Sequence, residues 1–130
     1  MARASVVRAV VVAVAAAVGC GGDDPALFLP QVSNNVNDFQ LLAPQVSGVT
    51  FTAEYPWRIQ GSVAEVHQSS LITGGTATLA IVDSFGTEVY QASLADTGLF
   101  VTQNGAAGRW TISLILNNAS GAIGVSVRRP

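Results

Sequence analysis

Two hydrophobic patterns divide the chain. Ala9 to Val18 is an unbroken run of small apolar residues, preceded by Arg3 and Arg8 and followed by Gly19-Cys20. From Phe39 onward, apolar residues recur at every second position, the period of a strand with one buried and one wet face. Val49, Phe51, Ala53 and Tyr55 share one face of an early strand, with Thr50, Thr52 and Glu54 on the other. Ala77, Leu79 and Ile81 do the same within Thr76 to Val82. The strongest run is Arg109 to Leu116, where Trp110, Ile112, Leu114 and Leu116 align, and Ile123, Val125 and Val127 repeat the alternation near the end.

Weaker strands are expected at Phe39 to Ala43, Ser62 to His67, Thr87 to Leu94 and Leu99 to Gln103, while Ser69 to Thr73 stays undecided. Pro44 is expected to stop the first of these. Pro56 removes a ladder donor, so the strand beginning at Val49 should end there or lie on an edge. Turns are expected at Gly74-Gly75, Asp96-Thr97-Gly98, Asn104 to Gly108 and Asn117 to Gly121, where glycine and asparagine cluster. Asp83-Ser84-Phe85-Gly86 has Asp first and Gly last, as a type I turn prefers, and makes its flanking strands a hairpin. Seven or eight short strands, with no helix after the first apolar run, predict an all-β fold. Roughly 90 residues suit two small packed sheets, so an antiparallel β-sandwich over 39–130 is the expectation.

The first apolar run is too short for a permanent membrane span, which needs about 20 apolar residues. Ten residues between Arg8 and Gly19 fit the core of a signal peptide behind a positive amino-terminal region. Removal of residues 1–19 from the 130 leaves 111, enough for one domain. It also leaves four arginines against eight acids, net −4, and the chain has no lysine. Nucleic-acid binding, which needs a basic footprint, is therefore disfavoured, and lysine-based nucleotide or Schiff-base chemistry is excluded. With a single cysteine there is no intramolecular disulfide and no cysteine zinc site.

Ala17-Val18-Gly19-Cys20 resembles the lipobox of bacterial lipoproteins, with Ala17 where leucine is commonest. The resemblance implies cleavage before Cys20, a diacylglycerol on its thiol and usually a further acyl chain on the new amino terminus. Acylation contributes about 0.8 kcal/mol per buried methylene, and two chains anchor stably where one does not. The same family retains proteins with Asp directly after the cysteine in the inner membrane; Gly21 stands there, which implies the outer membrane. Residues 20–38, rich in Gly, Pro, Asn and Asp, are then expected to be a tether, interrupted by the apolar Ala26-Leu27-Phe28-Leu29.

A second resemblance covers about half the domain. Gly108 to Leu114 with Asn118-Ala119-Ser120-Gly121 is similar to the closing hairpin of jelly-roll accessory domains on secreted bacterial proteases. Thr78 to Gly86 is similar to their central hairpin. It implies a fold only, because the acidic residues that the family carries around its last turn are missing here.

Candidate chemistry is sparse. His67, the sole histidine, shares a strand face with Glu65, and Ser69 or Ser70 lies close in sequence. These residue types in that order are those of a hydrolytic triad, though no nucleophile-elbow motif accompanies them. Asp83, Glu88 and Asp96 flank turns without the alternating spacing of a calcium loop. No cofactor or metal is expected. The aromatic cluster Tyr55-Pro56-Trp57-Arg58 offers flat rings for a sugar or a protein partner if they face outward, and core packing if they continue the face begun by Val49. The expectation is a non-enzymatic, lipid-anchored envelope module with an envelope protein or glycan as partner. The alternative is a small hydrolase or protease-associated accessory domain.

Overall fold

The computed structural model describes residues 28–130. Within them the chain is all-β and antiparallel, in seven strands. These are β1 (Gln31–Asn35), β2 (Asp38–Ile59), β3 (Glu65–Gln68), β4 (Leu71–Val82), β5 (Glu88–Ser93), β6 (Gly98–Val101) and β7 (Gly108–Arg128). They form one sheet in the order β1-β2-β7-β3-β6, with β4 also paired to β7 and β5 to β4. β7 is the spine: β2 follows one side of it for nearly its whole length, while β4 and β3 share the other side.

Three of the expected breaks are not turns. β2 runs through Pro44, β4 through Gly74-Gly75, and β7 through Asn117–Gly121. All three interruptions lie at one level, because Val46 pairs with Gly121, Val49 with Ala119, and Gly74 with Ser120. The ladder slips register there in both pairings, which is the signature of β-bulges. A bulge adds a residue on one strand, so the inward face changes parity. In β7 the buried positions are 110, 112, 114 and 116 before the bulge and 119, 123, 125 and 127 after it.

The bulges bend the sheet sharply. A 22-residue strand laid straight would reach about 70 Å at roughly 3.3 Å per residue. Yet the ends of β2 touch: the Asn37 amide donates to the Arg58 carbonyl at 2.9 Å, and the Gln60 amide donates to Asn37 Oδ1 at 2.8 Å. The sheet therefore curls on itself, and one continuous core of 23 buried apolar residues lines its inner face. Phe39, Leu41 and Val127 come from one half, and Trp57, Ile81 and Leu114 from the other.

The crease is built from backbone conformations that most residues avoid. Gly48, Gly75, Asn118 and Gly121 all have positive φ. A Cβ on Gly75 would run into the Asn118 carbonyl, and one on Gly121 into the Leu71 carbonyl. Two amides displaced from the ladder find side-chain acceptors instead. Gly48 N donates to Ser120 Oγ and Asn118 N to Thr50 Oγ1, each at 2.9 Å.

The prolines fit the same logic. Pro44 falls in the register break between Ala43 and Val46. Pro56 lies beyond the stretch covered by β1, so β2 is an edge there and no ladder donor is lost. β1 itself corrects the expected tether boundary. Residues 31–35 pair with β2 over five positions, so the folded unit starts before Phe39.

The crease can be tested by substitution. Gly121→Ala or Gly75→Ala should destabilise the domain by more than about 3 kcal/mol, since the backbone must both adopt a strained φ and move a packed carbonyl. Gly86→Ala also sits at positive φ but has open space around it, so it should cost only about 1 kcal/mol. Urea unfolding of the three variants reads the difference.

Candidate functional site

The aromatic cluster singled out in the sequence does not form a surface platform. Trp57 is fully buried and lies across from Trp110 in the β2–β7 ladder, with the two indoles edge to face at 6.1 Å. Each buried N–H has a carbonyl to meet it. Trp57 Nε1 donates to Asn35 O at 2.9 Å and Trp110 Nε1 to Ala106 O at 2.7 Å. Tyr55 is half-buried against Phe39, ring centroids 5.5 Å apart, and burial pushes its hydroxyl pKa up to about 12. Pro56 and Arg58 are exposed, Arg58 opposite Arg109. The cluster thus ties the far end of β2 into the core, the packing alternative of the two open in the sequence.

Cys20, the residue on which anchoring depends, lies outside the described residues, as do the signal segment and the lipobox. The chain next to them is informative. Phe28 packs against the core with its ring 6.2 Å from that of Phe51, and Leu29 is 78 % exposed.

The other candidate residues meet on the outward face of the half-sheet made by β1, β2, β7 and β3. Cross-strand register places His67 opposite Ser126, Ser126 opposite Gln40, and Gln40 opposite Ser33. One polar row without carboxylate or guanidinium groups therefore crosses four strands. The next row is charged and alternates in sign, Glu65 beside Arg128 beside Asp38. On the other flank Gly124 pairs with Leu42. A side chain at Gly124 would strike Ser69 Oγ, and a shallow groove of about 380 Å³ lies over this position. His67, Ser69, Ser126, Gln40 and Leu42 line it.

The serines near His67 differ in what holds them. Ser70 is buried; its Oγ donates to Gly124 O at 3.2 Å and accepts from Gly124 N at 3.0 Å, so the hydroxyl is committed to the backbone. Ser69 is exposed and its Oγ lies 3.4 Å from the same carbonyl, a long contact that leaves it free to turn into the groove. Glu65 sits on the face of His67 but one row away, opposite Arg128. Among the described residues, no three of His, Cys, Asp and Glu are grouped to hold a metal ion.

Two polar groups, Gln68 and Asp83, prove to be structural hubs. Gln68 is buried and donates through Nε2 to Ser93 O and Asp96 O, while its Oε1 accepts from Tyr90 Oη at 2.6 Å. Asp83, expected only as a turn residue, accepts three backbone amides. Oδ2 takes Ala106 N at 2.9 Å, and Oδ1 takes Thr87 N at 2.9 Å and Phe85 N at 3.0 Å. The Ala106 and Thr87 amides foremost hold its carboxyl below the usual range, against an opposing contribution from burial. The β4–β5 turn is thereby pinned to the loop that leads into β7.

The chain matches no family model and no curated protein.

Two outcomes test these assignments. Trp57→Ala should cost about 3–5 kcal/mol in denaturant unfolding, as for any large buried ring, whereas Arg58→Ala should stay within about 0.5 kcal/mol. For Asp83 the folded-state pKa is depressed, so its stabilisation is present above the unfolded pKa and is lost as pH falls through the folded value. Wild type should therefore lose stability on acidification below about pH 4 more steeply than Asp83→Asn, with the two curves converging at the acid end; parallel curves would reject the role.

Proposed function

We propose that this protein is a bacterial lipoprotein: cut after Gly19, acylated on Cys20, and presenting a non-enzymatic β domain, built as a sandwich, in the cell envelope. The observation that carries the proposal is positional. The chain's single cysteine falls at the end of a lipobox-like Ala17-Val18-Gly19 that closes a ten-residue apolar run. Gly21 in place of an aspartate directs the anchor to the outer membrane. The presented surface is the outward face around Gly124, where a groove meets a polar row without carboxylate or guanidinium groups. Donors and acceptors there suit the amides of an envelope protein or the hydroxyls of a glycan.

A second function is favoured by one observation: His67 and Ser69 line the same groove. A small hydrolase would use Ser69 as nucleophile and His67 as base, with Glu65 as the orienting carboxylate. Ser70, locked on Gly124, is unsuited to that role.

Expression in a bacterium and mass spectrometry of the mature amino terminus test the anchor. Diacylglyceryl-modified Cys20 as first residue is expected; an unmodified thiol or a cut elsewhere rejects it. His67→Ala separates the two functions. It should leave the fold and any ester or peptide hydrolysis at background unchanged, and a hydrolytic rate that falls a hundredfold or more would instead establish the enzyme.

A further inference from the structure

The entry point of the chain into the fold carries a second surface. Phe51 pairs with buried Leu116 and lies two residues before buried Ala53, so it belongs to the inner, apolar face of the sheet. It is nevertheless 52 % exposed. Among the described residues the inner face is therefore only partly covered at this point, where the Phe28 ring lies 6.2 Å away. Leu29, next to Phe28 in the chain, is 78 % exposed, and Ala26 and Leu27 precede it in sequence.

Resting on the acylated Cys20 proposed above, we infer that this patch is a lipid-facing surface that seats the domain on the bilayer. The deciding quantity is reach. Cys20 and Phe28 are eight residues apart, at most about 29 Å of fully extended chain. A folded unit of residues 28–130 has a radius of gyration of about 13 Å, hence a width of about 33 Å and a half-circumference of about 50 Å. A tether of that length cannot pass around the domain. The far side of the domain is therefore out of reach, and Phe28 stays within about 29 Å of the membrane that holds Cys20, on the near half of the surface. An exposed leucine and phenylalanine held there gain by leaving water for the headgroup–acyl boundary, and a peripheral surface needs only a few such side chains once acyl chains supply the anchor.

The partner surface is specified as zwitterionic. The chain beyond residue 19 carries four arginines against eight acids, with Asp23 and Asp24 in the tether itself. Anionic headgroups would repel it, the more so at low salt.

The test uses the full acylated protein in phosphatidylcholine vesicles whose acyl chains are brominated near the headgroup end, so that bromine quenches any indole at that depth. Three single variants, Leu29→Trp, Phe51→Trp and Phe85→Trp, are compared with wild type, whose two tryptophans are buried. Phe85 is 86 % exposed on the β4–β5 turn beside Val82, which pairs with Thr111, five residues along β7 from the partner of Phe51. The two patch variants should be quenched several-fold more than Phe85→Trp. Equal quenching at all three sites, or none, with Cys20 confirmed as acylated in the same sample, overturns the seating while leaving the anchor intact. Unmodified Cys20 removes the anchor and the seating together. An unquenched Leu29→Trp whose emission depends on protein density in the vesicle would mean that a second copy covers the patch, which also overturns the lipid assignment.

Discussion

Everything in this fold depends on three neighbouring strands bending at the same place. A bend in one strand breaks its ladder with both neighbours, and buried amides without partners are costly. β2, β4 and β7 bend together, so their pairing resumes beyond the crease with the same face inward. Glycine supplies the room at Gly75 and Gly121, where backbone carbonyls occupy the space of a Cβ. Ser120 and Thr50 supply the acceptors that the slipped ladder no longer provides. Curling brings Asn37 against Arg58, and it brings Phe39 and Trp57 into one core.

That closure explains how about 100 residues hold together with no disulfide among them. The β1–β2 turn acts as a clasp. Asn37 exchanges hydrogen bonds with Arg58 and Gln60 at one end of β2 and with Arg129 beyond β7, while Asn35 receives the Trp57 indole. The paired tryptophans add an edge-to-face contact, worth about 0.5–1.5 kcal/mol beyond the area they bury. Asp83 and Gln68 likewise bind backbone groups from separate segments. Buried polar groups here serve as cross-links between stretches far apart in sequence.

The alternation in the sequence was sufficient for the fold class and for most of the inner face: Val49, Ala53, Leu79, Ile81, Trp110, Ile112, Leu114, Val125 and Val127 are all buried. The crease was misread for a physical reason. A bulge and a turn both call for positive φ, so Gly74-Gly75 and Asn117 to Gly121 look alike in either role. β1 escaped notice because all five of its residues are exposed and it is held by backbone pairing, which leaves no apolar alternation. Parity from Val49 places Trp57 inward, and the core alternative weighed for it was legible to that extent. The groove was not: His67, Ser126, Gln40 and Ser33 become neighbours only through the register of four strands.

The electrostatic character of the outward face follows from that register. Glu65, Arg128 and Asp38 stand side by side with alternating sign, so their fields largely cancel within a Debye length of about 8–10 Å. The row beside them holds no carboxylate or guanidinium, and the groove it borders is floored by a glycine. Long-range steering therefore contributes little to capture at this face. The groove offers amide and hydroxyl groups for hydrogen bonds and an apolar edge along Leu42 and Val32. Tight binding from such contacts requires that they form together on a rigid surface, because each one barely repays its exchange with water. The paired ladder of β1, β2, β7 and β3 supplies that rigidity, so the crease that shapes the core also fixes the face that a partner would meet.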